Sequence, residues 1–299
     1  MIIDCHSHLH EVNRRSDTLW FAGEPEGPLP VERFAAHAQA EPVDHMIISA
    51  HSAPLTTPEA LVAANDAVAR AVGAYPRFFS GLCQVNPHFV EVSLAEMEKH
   101  IAAGGMAQTA PDPPLPGRLA GIGELCQYLL DYETDDPRVF PFIERAVELG
   151  VPILEHTSRE PHTSGLDRLA GQFPQARFIM AHLGGMHNWP AGLEVARRHE
   201  NVWVDTSGYV MVCTGAMERA LDELGAARLL FGVDYPGAQA GPLVAALERL
   251  DLPSADLDRI AFKNAAELFG LDTATIGQQK RVLVSPQGHK GTKEQEARP

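Results

Sequence analysis

Short apolar runs recur along the chain at intervals and alternate with longer stretches in which apolar residues return with helical spacing. The runs are MIID, VDHMIIS, FFSGLCQV, LAGIGEL, VPILEH, ARFIMAH, NVWVD and RLLFGVD. Runs of this length, rich in β-branched residues and without strict polar alternation, suit strands buried on both faces, as parallel strands are when helices cover them. Five intervening segments read as amphipathic helices: PLPVERFAAHAQA, TTPEALVAANDAVARAV, DPRVFPFIERAVELG, PAGLEVARRH and TGAMERALDELG. The second opens on a Thr cap with Pro58 in its first turn, and the third ends on Gly150; both are ordinary helix boundary signals.

Eight β-α units in succession predict an α/β fold, a (β/α)8 TIM barrel. An open doubly wound sheet is the runner-up. That fold wants a glycine-rich phosphate loop after the first strand, and this chain has histidines there. The stretch SADLDRIAFKNAAELFGL reads as an extra C-terminal helix closing the barrel. The expected organisation is one domain over residues 1–271 and a polar, mobile tail over 272–299. Residues 10–30 form a long loop after strand one, and AQTAPDPPLPG is an irregular proline-rich loop before strand four.

Composition changes this picture mainly by exclusion. The 299 residues carry 39 acidic and 24 basic side chains, a formal charge of −15, which repels nucleic-acid phosphates and anionic membranes. No apolar run is long enough to span a bilayer and no leader-like segment opens the chain. Cys5, Cys83, Cys126 and Cys213 form no C-x-x-C pair, which fits a reducing compartment. The expectation is a cytoplasmic protein with a small-molecule substrate, neither nucleic acid nor membrane as partner, and a homodimer as the default oligomer.

Chemistry in a barrel gathers at the C-terminal ends of the strands. There the sequence places His6 and His8 on strand one, Glu124 on strand four, His156 on strand five, His182 on strand six and Asp234 on strand eight. Each alone has an ordinary explanation: a wet strand face, a hydrogen-bonded core histidine, a helix cap or an ion pair. Together, six imidazole and carboxylate side chains at five strand ends point to a divalent metal, zinc as the expected ion with manganese or iron as alternatives. Residues two apart on a strand project to one side, so His6 and His8 can grip one ion. Asp4 shares their parity and is expected to orient them. His10 has the same parity but lies where the chain leaves the barrel, so it is assigned to the pocket rim with Trp20 and Arg159 as candidate substrate contacts. Phe21 accompanies Trp20, Asp205 and Ser207 are expected to face the pocket without touching metal, and His162 is expected on a surface loop. His45, His51 and His187 are expected to be solvated or locally bonded, and the cysteines structural.

The ordered set IIDCHSHLH, GIGEL, LEHTS, MAHLGG, LLFGVDYP and KNAAELFGL, spanning Met1 to Leu271, resembles the amidohydrolase superfamily, specifically its amidohydrolase 2 branch of metal-dependent hydrolases and decarboxylases. The resemblance implies a metal held by His6, His8, His156 and Asp234, with His182 beside the substrate or its water. Several superfamily members carry a metal-bridging carboxylated lysine on strand four. This chain has Glu124 instead, similar to the TatD-type arrangement, and the count of one or two ions stays open. Decarboxylases of the branch can have Glu-x-His on strand one, so His6 shifts the balance toward hydrolysis.

The leading expectation is therefore metal-dependent hydrolysis of a small amide, ester or lactone, with Asp234 accepting the water proton and His182 hydrogen-bonding the substrate oxygen. The alternative is non-oxidative decarboxylation of an aromatic or unsaturated acid, with Arg159 as the carboxylate clamp. A catalytically silent metal- or metabolite-binding barrel ranks last.

Overall fold

The computed structural model describes residues 1–9, 12–13, 23–24, 27–50, 55–102, 119–185, 187–208 and 210–276. Eight parallel barrel strands pair in sequence order: β1 (Ile3–His8), β2 (His45–Ser49), β3 (Phe79–Cys83), β4 (Gly121–Leu125), β5 (Ile153–Glu155), β6 (Phe178–Met180), β7 (Val202–Asp205) and β8 (Leu229–Leu230). The gap between the last and first strands is bridged by backbone bonds from Cys5 to Phe231 (3.0 Å), His8 to Tyr235 (2.7 Å) and Asp234 to His6 (2.7 Å). A principal helix follows each strand: α1 (Val31–Ala38), α2 (Pro58–Ala74), α3 (Val90–His100), α4 (Phe140–Leu149), α5 (His162–Gln172), α6 (Trp189–Arg198), α7 (Ala216–Leu224) and α8 (Ala240–Glu248), with a short helical turn at Gln127–Leu130 ahead of α4. This is the predicted (β/α)8 barrel.

Each strand divides its side chains between two apolar layers. Ile47, Leu82, Leu154, Ile179 and Leu230 fill the barrel interior, while their neighbours Met46, Ile48, Ile153, Phe178 and Met180 pack outward under the helices. That double burial is why the strands read as unbroken apolar runs. The interior layer is plugged from below by the closing segment Ser254–Phe269, which places Ala265, Leu268 and Phe269 in it. The segment passes through a π-helical turn at Arg259–Lys263. Beyond it, Thr273–Ile276 adds one more turn, whose Ile276 is also buried in that layer.

Local signals behave as their chemistry dictates. Thr57 Oγ1 accepts the Ala60 N–H at 3.2 Å as the cap of α2, and Gly150 ends α4 in the left-handed region (φ 66°). Helices α3, α5 and α8 were not singled out by the apolar spacing. α5 carries Gly165 and Gly171, and α3 has polar Ser93 and Glu96 on its buried side, which blurs a hydrophobic stripe.

Two strands contain an extra residue. Asp4 and Ser7 of β1 pair with Met46 and Ile48 of β2, and Ile122 and Leu125 of β4 pair with Ile153 and Glu155 of β5. In each case three steps on one strand face two on its neighbour, the signature of a β-bulge that re-aims side chains. On β1, Ile3 and Cys5 already face the interior. Without the bulge, His6 and His8 would point outward with Asp4. On β4, Ile122 belongs to the outer layer, and the bulge turns Glu124 inward. Gly123 (φ 120°) makes that possible, because a Cβ there would stand 2.4 Å from the Leu154 carbonyl oxygen.

His10, Trp20, Phe21, His51, most of the loop at 10–30, the proline-rich loop and residues 277–299 lie outside the described residues. Among the described residues, no helix is long and apolar enough to cross a membrane.

Candidate metal centre

The bulge on β1 brings the two histidines to a common point. His6 Nε2 and His8 Nε2 are 3.2 Å apart, and His8 Nε2 is 3.0 Å from Asp234 Oδ1. His6 Nδ1 faces Asp205 Oδ2 at 2.8 Å, and His8 Nδ1 faces Ser49 Oγ at 2.9 Å. Where those outer nitrogens carry the ring protons and the rings are neutral, both Nε2 atoms turn their lone pairs toward one point, as two imidazole ligands of one cation do. Donor spacings of about 3.0–3.4 Å follow from metal–ligand bonds of ~2.0–2.1 Å, so the donor set fits a divalent ion.

Glu124 joins this group to a second one. Its Oε1 lies 3.4 Å from His6 Nε2, 2.8 Å from His156 Nδ1 and 3.6 Å from His182 Nε2, while Oε2 lies 3.5 Å from His8 Nε2. The carboxylate thus stands between a His6–His8–Asp234 triplet and a Glu124–His156–His182 triplet, each compact enough for one ion. All six residues singled out at strand ends meet at one end of the barrel. His182 and Asp234 reach it from strained backbone, with φ of 55° and 68°. Neither is glycine, so each conformation costs on the order of 1–3 kcal/mol and is held by neighbours. The His182 N–H donates to Asp205 Oδ1 at 2.9 Å, and the Asp234 N–H donates to the His6 carbonyl at 2.7 Å.

The surrounding residues orient the donors. Ser207 Oγ donates to Asp205 Oδ1 and lies 2.8 Å from His182 Nδ1; Ser158 Oγ lies 3.1 Å from His156 Nε2. Asp205 and Ser207 therefore take the orienting role, whereas Asp4 serves the backbone. The bulge separates its parity from that of the histidines. Its Oδ1 accepts the N–H groups of His6 (3.0 Å) and Val233 (2.9 Å), and Oδ2 accepts from Ser7. Asp4 thereby ties β1 to the segment that carries Asp234. Burial pushes its carboxyl up to about 7 against these hydrogen bonds.

Charge in the centre is set by mutual pairing. Burial opposes ionisation of Glu124, yet His6 and His156 beside it hold its carboxyl well below the usual range. Burial likewise opposes protonation of His6, but Glu124 and Asp205 hold its imidazole well above the ordinary value. Burial also opposes ionisation of Asp234, and the contact with His8 keeps its carboxyl far below the usual range. Its side chain is 32% exposed, against 0–5% for His6, His8 and Glu124. Asp234 is the member of its triplet that meets whatever enters from the mouth.

One neighbour was not expected, and His162 lies elsewhere than expected. Tyr128, just past β4, is 47% exposed, with its ring centroid 4.7 Å from that of His156 and 6.4 Å from that of His162. It forms an aromatic wall beside the candidate ligands; its place in the first turn after a barrel strand was the available sequence signal. His162 is buried rather than on a surface loop, and burial pushes its imidazole down to about 4. Arg159 is exposed at this rim, near enough for its charge to act on Tyr128 and His162. Cys126 is buried as a structural cysteine would be, but its Sγ lies 3.2 Å from Glu124 Oε2. Burial first, and then the Glu124 charge, push that thiol well up, which argues against a nucleophile. His45 is buried and bonded to Arg77 O and Ser80 Oγ, and His187 is exposed.

Comparison with known proteins gives three kinds of likeness. Residues 3–271 match the family model described as amidohydrolase. A curated relative, 2-keto-4-carboxy-3-hexenedioate hydratase of a Sphingobium species, is 27% identical over 81% of this chain and 85% of its own length. Among solved structures, the 5-carboxyvanillate decarboxylase of Sphingomonas paucimobilis superposes with a TM-score of 0.64 at 19% identity, over 91% of this chain and 99% of that one. A dihydroxybenzoic acid decarboxylase of a Polaromonas species, which has bound manganese, gives 0.64 at 17% identity over 94% and 99%. At these identities the two solved structures establish a shared barrel.

Proposed function

The chain belongs to the amidohydrolase family, and from that premise we propose that it is a metal-dependent enzyme that directs water at an electrophilic carbon of a small, oxygen-rich organic acid. The observation that carries this reading is the His6–His8–Asp234 triplet, in which two buried imidazoles meet a carboxylate open to the barrel mouth. Family members bind a divalent metal, and the donor set here fits one, with zinc the expected ion and manganese or iron as alternatives. When bound, such a cation acidifies a water toward a pKa of ~7 and polarises a substrate oxygen.

The chain's own residues would supply the rest. His6, His8 and Asp234 would hold the cation, with Glu124, His156 and His182 forming a second position. Asp234 would take the proton from the attacking water and return it to the product. His182, fixed through Ser207, would either complete that second position or hydrogen-bond the substrate oxygen. Tyr128 would cover one face of a planar substrate, and Arg159 at the rim would pair with a carboxylate.

Two reactions share this water attack. Hydrolysis of an ester, amide or lactone is compatible with the donor set. Hydration of a conjugated double bond is the reading we favour, supported by similarity to the hydratase across most of both chains. An assay of unsaturated oxo-acids and of lactones, followed by ultraviolet absorbance and mass, tests both. Gain of one water with loss of conjugation supports hydration, and ring opening or bond cleavage with gain of water supports hydrolysis. Release of carbon dioxide without water uptake would overturn the water-attack reading in favour of decarboxylation.

A further inference from the structure

A second group of metal-ligand side chains lies on the outer wall of the barrel, between α2 and α3. Glu96 and His100 stand four residues apart on α3 and share a face, while Asp66 meets them from α2. His100 Nε2 is 3.3 Å from Glu96 Oε2 and 3.2 Å from Asp66 Oδ1. His100 is only 8% exposed, and its Nε2 is buried without a hydrogen-bond partner although two carboxylates stand this close. A buried ring nitrogen left in that state is uncommon.

The acidic members are held in place. Asn65, fully buried, donates from Nδ2 to Glu96 Oε2 at 3.3 Å, and its Oδ1 accepts the Gln84 N–H at 2.7 Å. Lys99 Nζ lies 2.6 Å from Asp66 Oδ1 and 3.4 Å from Glu96 Oε1, so a positive charge already sits on this pair. The His100 carbonyl accepts the Leu119 N–H, which places the cluster level with the start of β4, whereas Glu124 lies near that strand's far end.

We propose that Asp66, Glu96 and His100 form a zinc-type divalent metal site, separate from the centre at the barrel mouth, in which the ion displaces Lys99 from the carboxylates and pins α2 to α3. The ligand spacings of 3.2 and 3.3 Å match those around a tetrahedral ion with bonds of ~2.0–2.1 Å. One imidazole and two carboxylates suit zinc, and the half-exposed Asp66 leaves room for water as a further ligand.

The test is titration of the full chain with zinc alone, by calorimetry and elemental analysis, for wild type, His100→Gln and Asp66→Asn. Both variants are expected to bind one zinc fewer than wild type, with catalytic turnover retained. Asp66 lies partly at the surface, so its variant tests the site even if the His100 variant misfolds. Lys99→Gln should bind that zinc roughly two- to fivefold more tightly, the worth of one exposed ion pair. Unchanged zinc stoichiometry in both ligand variants, or weaker binding in Lys99→Gln, would overturn the proposal.

Discussion

Asp205 grips both halves of the candidate metal centre: Oδ2 lies 2.8 Å from His6 Nδ1, and Oδ1 accepts the His182 backbone N–H at 2.9 Å. One buried carboxylate therefore fixes the tautomer of one candidate ligand and the strained backbone of another. Asp205→Asn keeps the shape but loses the charge that favours an Nδ1–H on His6. Metal affinity should fall about 10- to 100-fold, as for other carboxylate–histidine pairs. A metal titration at fixed pH reads this, and unchanged affinity would show that Asp205 serves packing alone.

Asp234→Asn should lower kcat by about 10²- to 10⁴-fold, the range for loss of a general base. The side chain is partly exposed and isosteric with Asn, so the circular dichroism spectrum and melting temperature should stay near those of wild type. Substantial turnover in that variant would remove Asp234 from the proton path.

Chelation should abolish turnover, and zinc or manganese should restore it. Glu124 belongs to one donor triplet and lies 3.4 and 3.5 Å from the histidines of the other, so two ions are expected at the mouth, and Glu124→Gln should bind fewer. Counting them in the His100→Gln background keeps the outer cluster from contributing. Burial opposes the proton on His6 and on His182, but their carboxylate neighbours raise both imidazoles above the ordinary value. Protons therefore compete with the metal to a higher pH than a free histidine would allow, and affinity should keep rising above pH ~6.5. A pH-independent affinity would contradict this.

His45 gives a stability prediction of defined sign. Burial pushes its imidazole down to about 4 from 6.5, so as pH falls below 6.5 the unfolded chain takes up the proton first. Its contribution is complete above pH ~6.5 and is lost as pH drops toward 4, by about 3 kcal/mol. Asp4 works in the opposite direction throughout this window, because its carboxyl is raised from 3.8 to about 7. The readout is therefore the difference in urea midpoint between wild type and His45→Gln across pH 4–7. A difference independent of pH would refute it.

Gly185 (φ 97°) lets the turn carrying His182 approach the loop after β5, since a Cβ there would stand 2.1 Å from the Ser158 carbonyl oxygen. Gly185→Ala must move one of two backbones that position His156 and His182. It should destabilise the protein by at least about 1–3 kcal/mol, the range for backbone strain, and reduce metal content. Thermal melting with metal analysis checks both effects.

The barrel was legible because double burial writes each strand as an apolar run, and the turn chemistry of Thr57 and Gly150 marks helix ends without tertiary help. The six candidate ligands were legible for a related reason: a barrel delivers strand ends to one mouth. Tyr128 was harder to read. An aromatic past a strand is usually packing, and only the path of the chain after β4 brings its ring beside the candidate ligands. Asp4 does hold His6, but through the backbone N–H; parity could not show this, because it cannot register an inserted residue.

By itself, then, the sequence determined the architecture and named the candidate donors at the strand ends. The tertiary structure decided which way those donors face. An alternation of period two makes one extra residue enough to reverse every side chain beyond it. Bulges are set by pairing with a neighbouring strand, so the inward turn of His6, His8 and Glu124 exists only once β2 and β5 lie beside them.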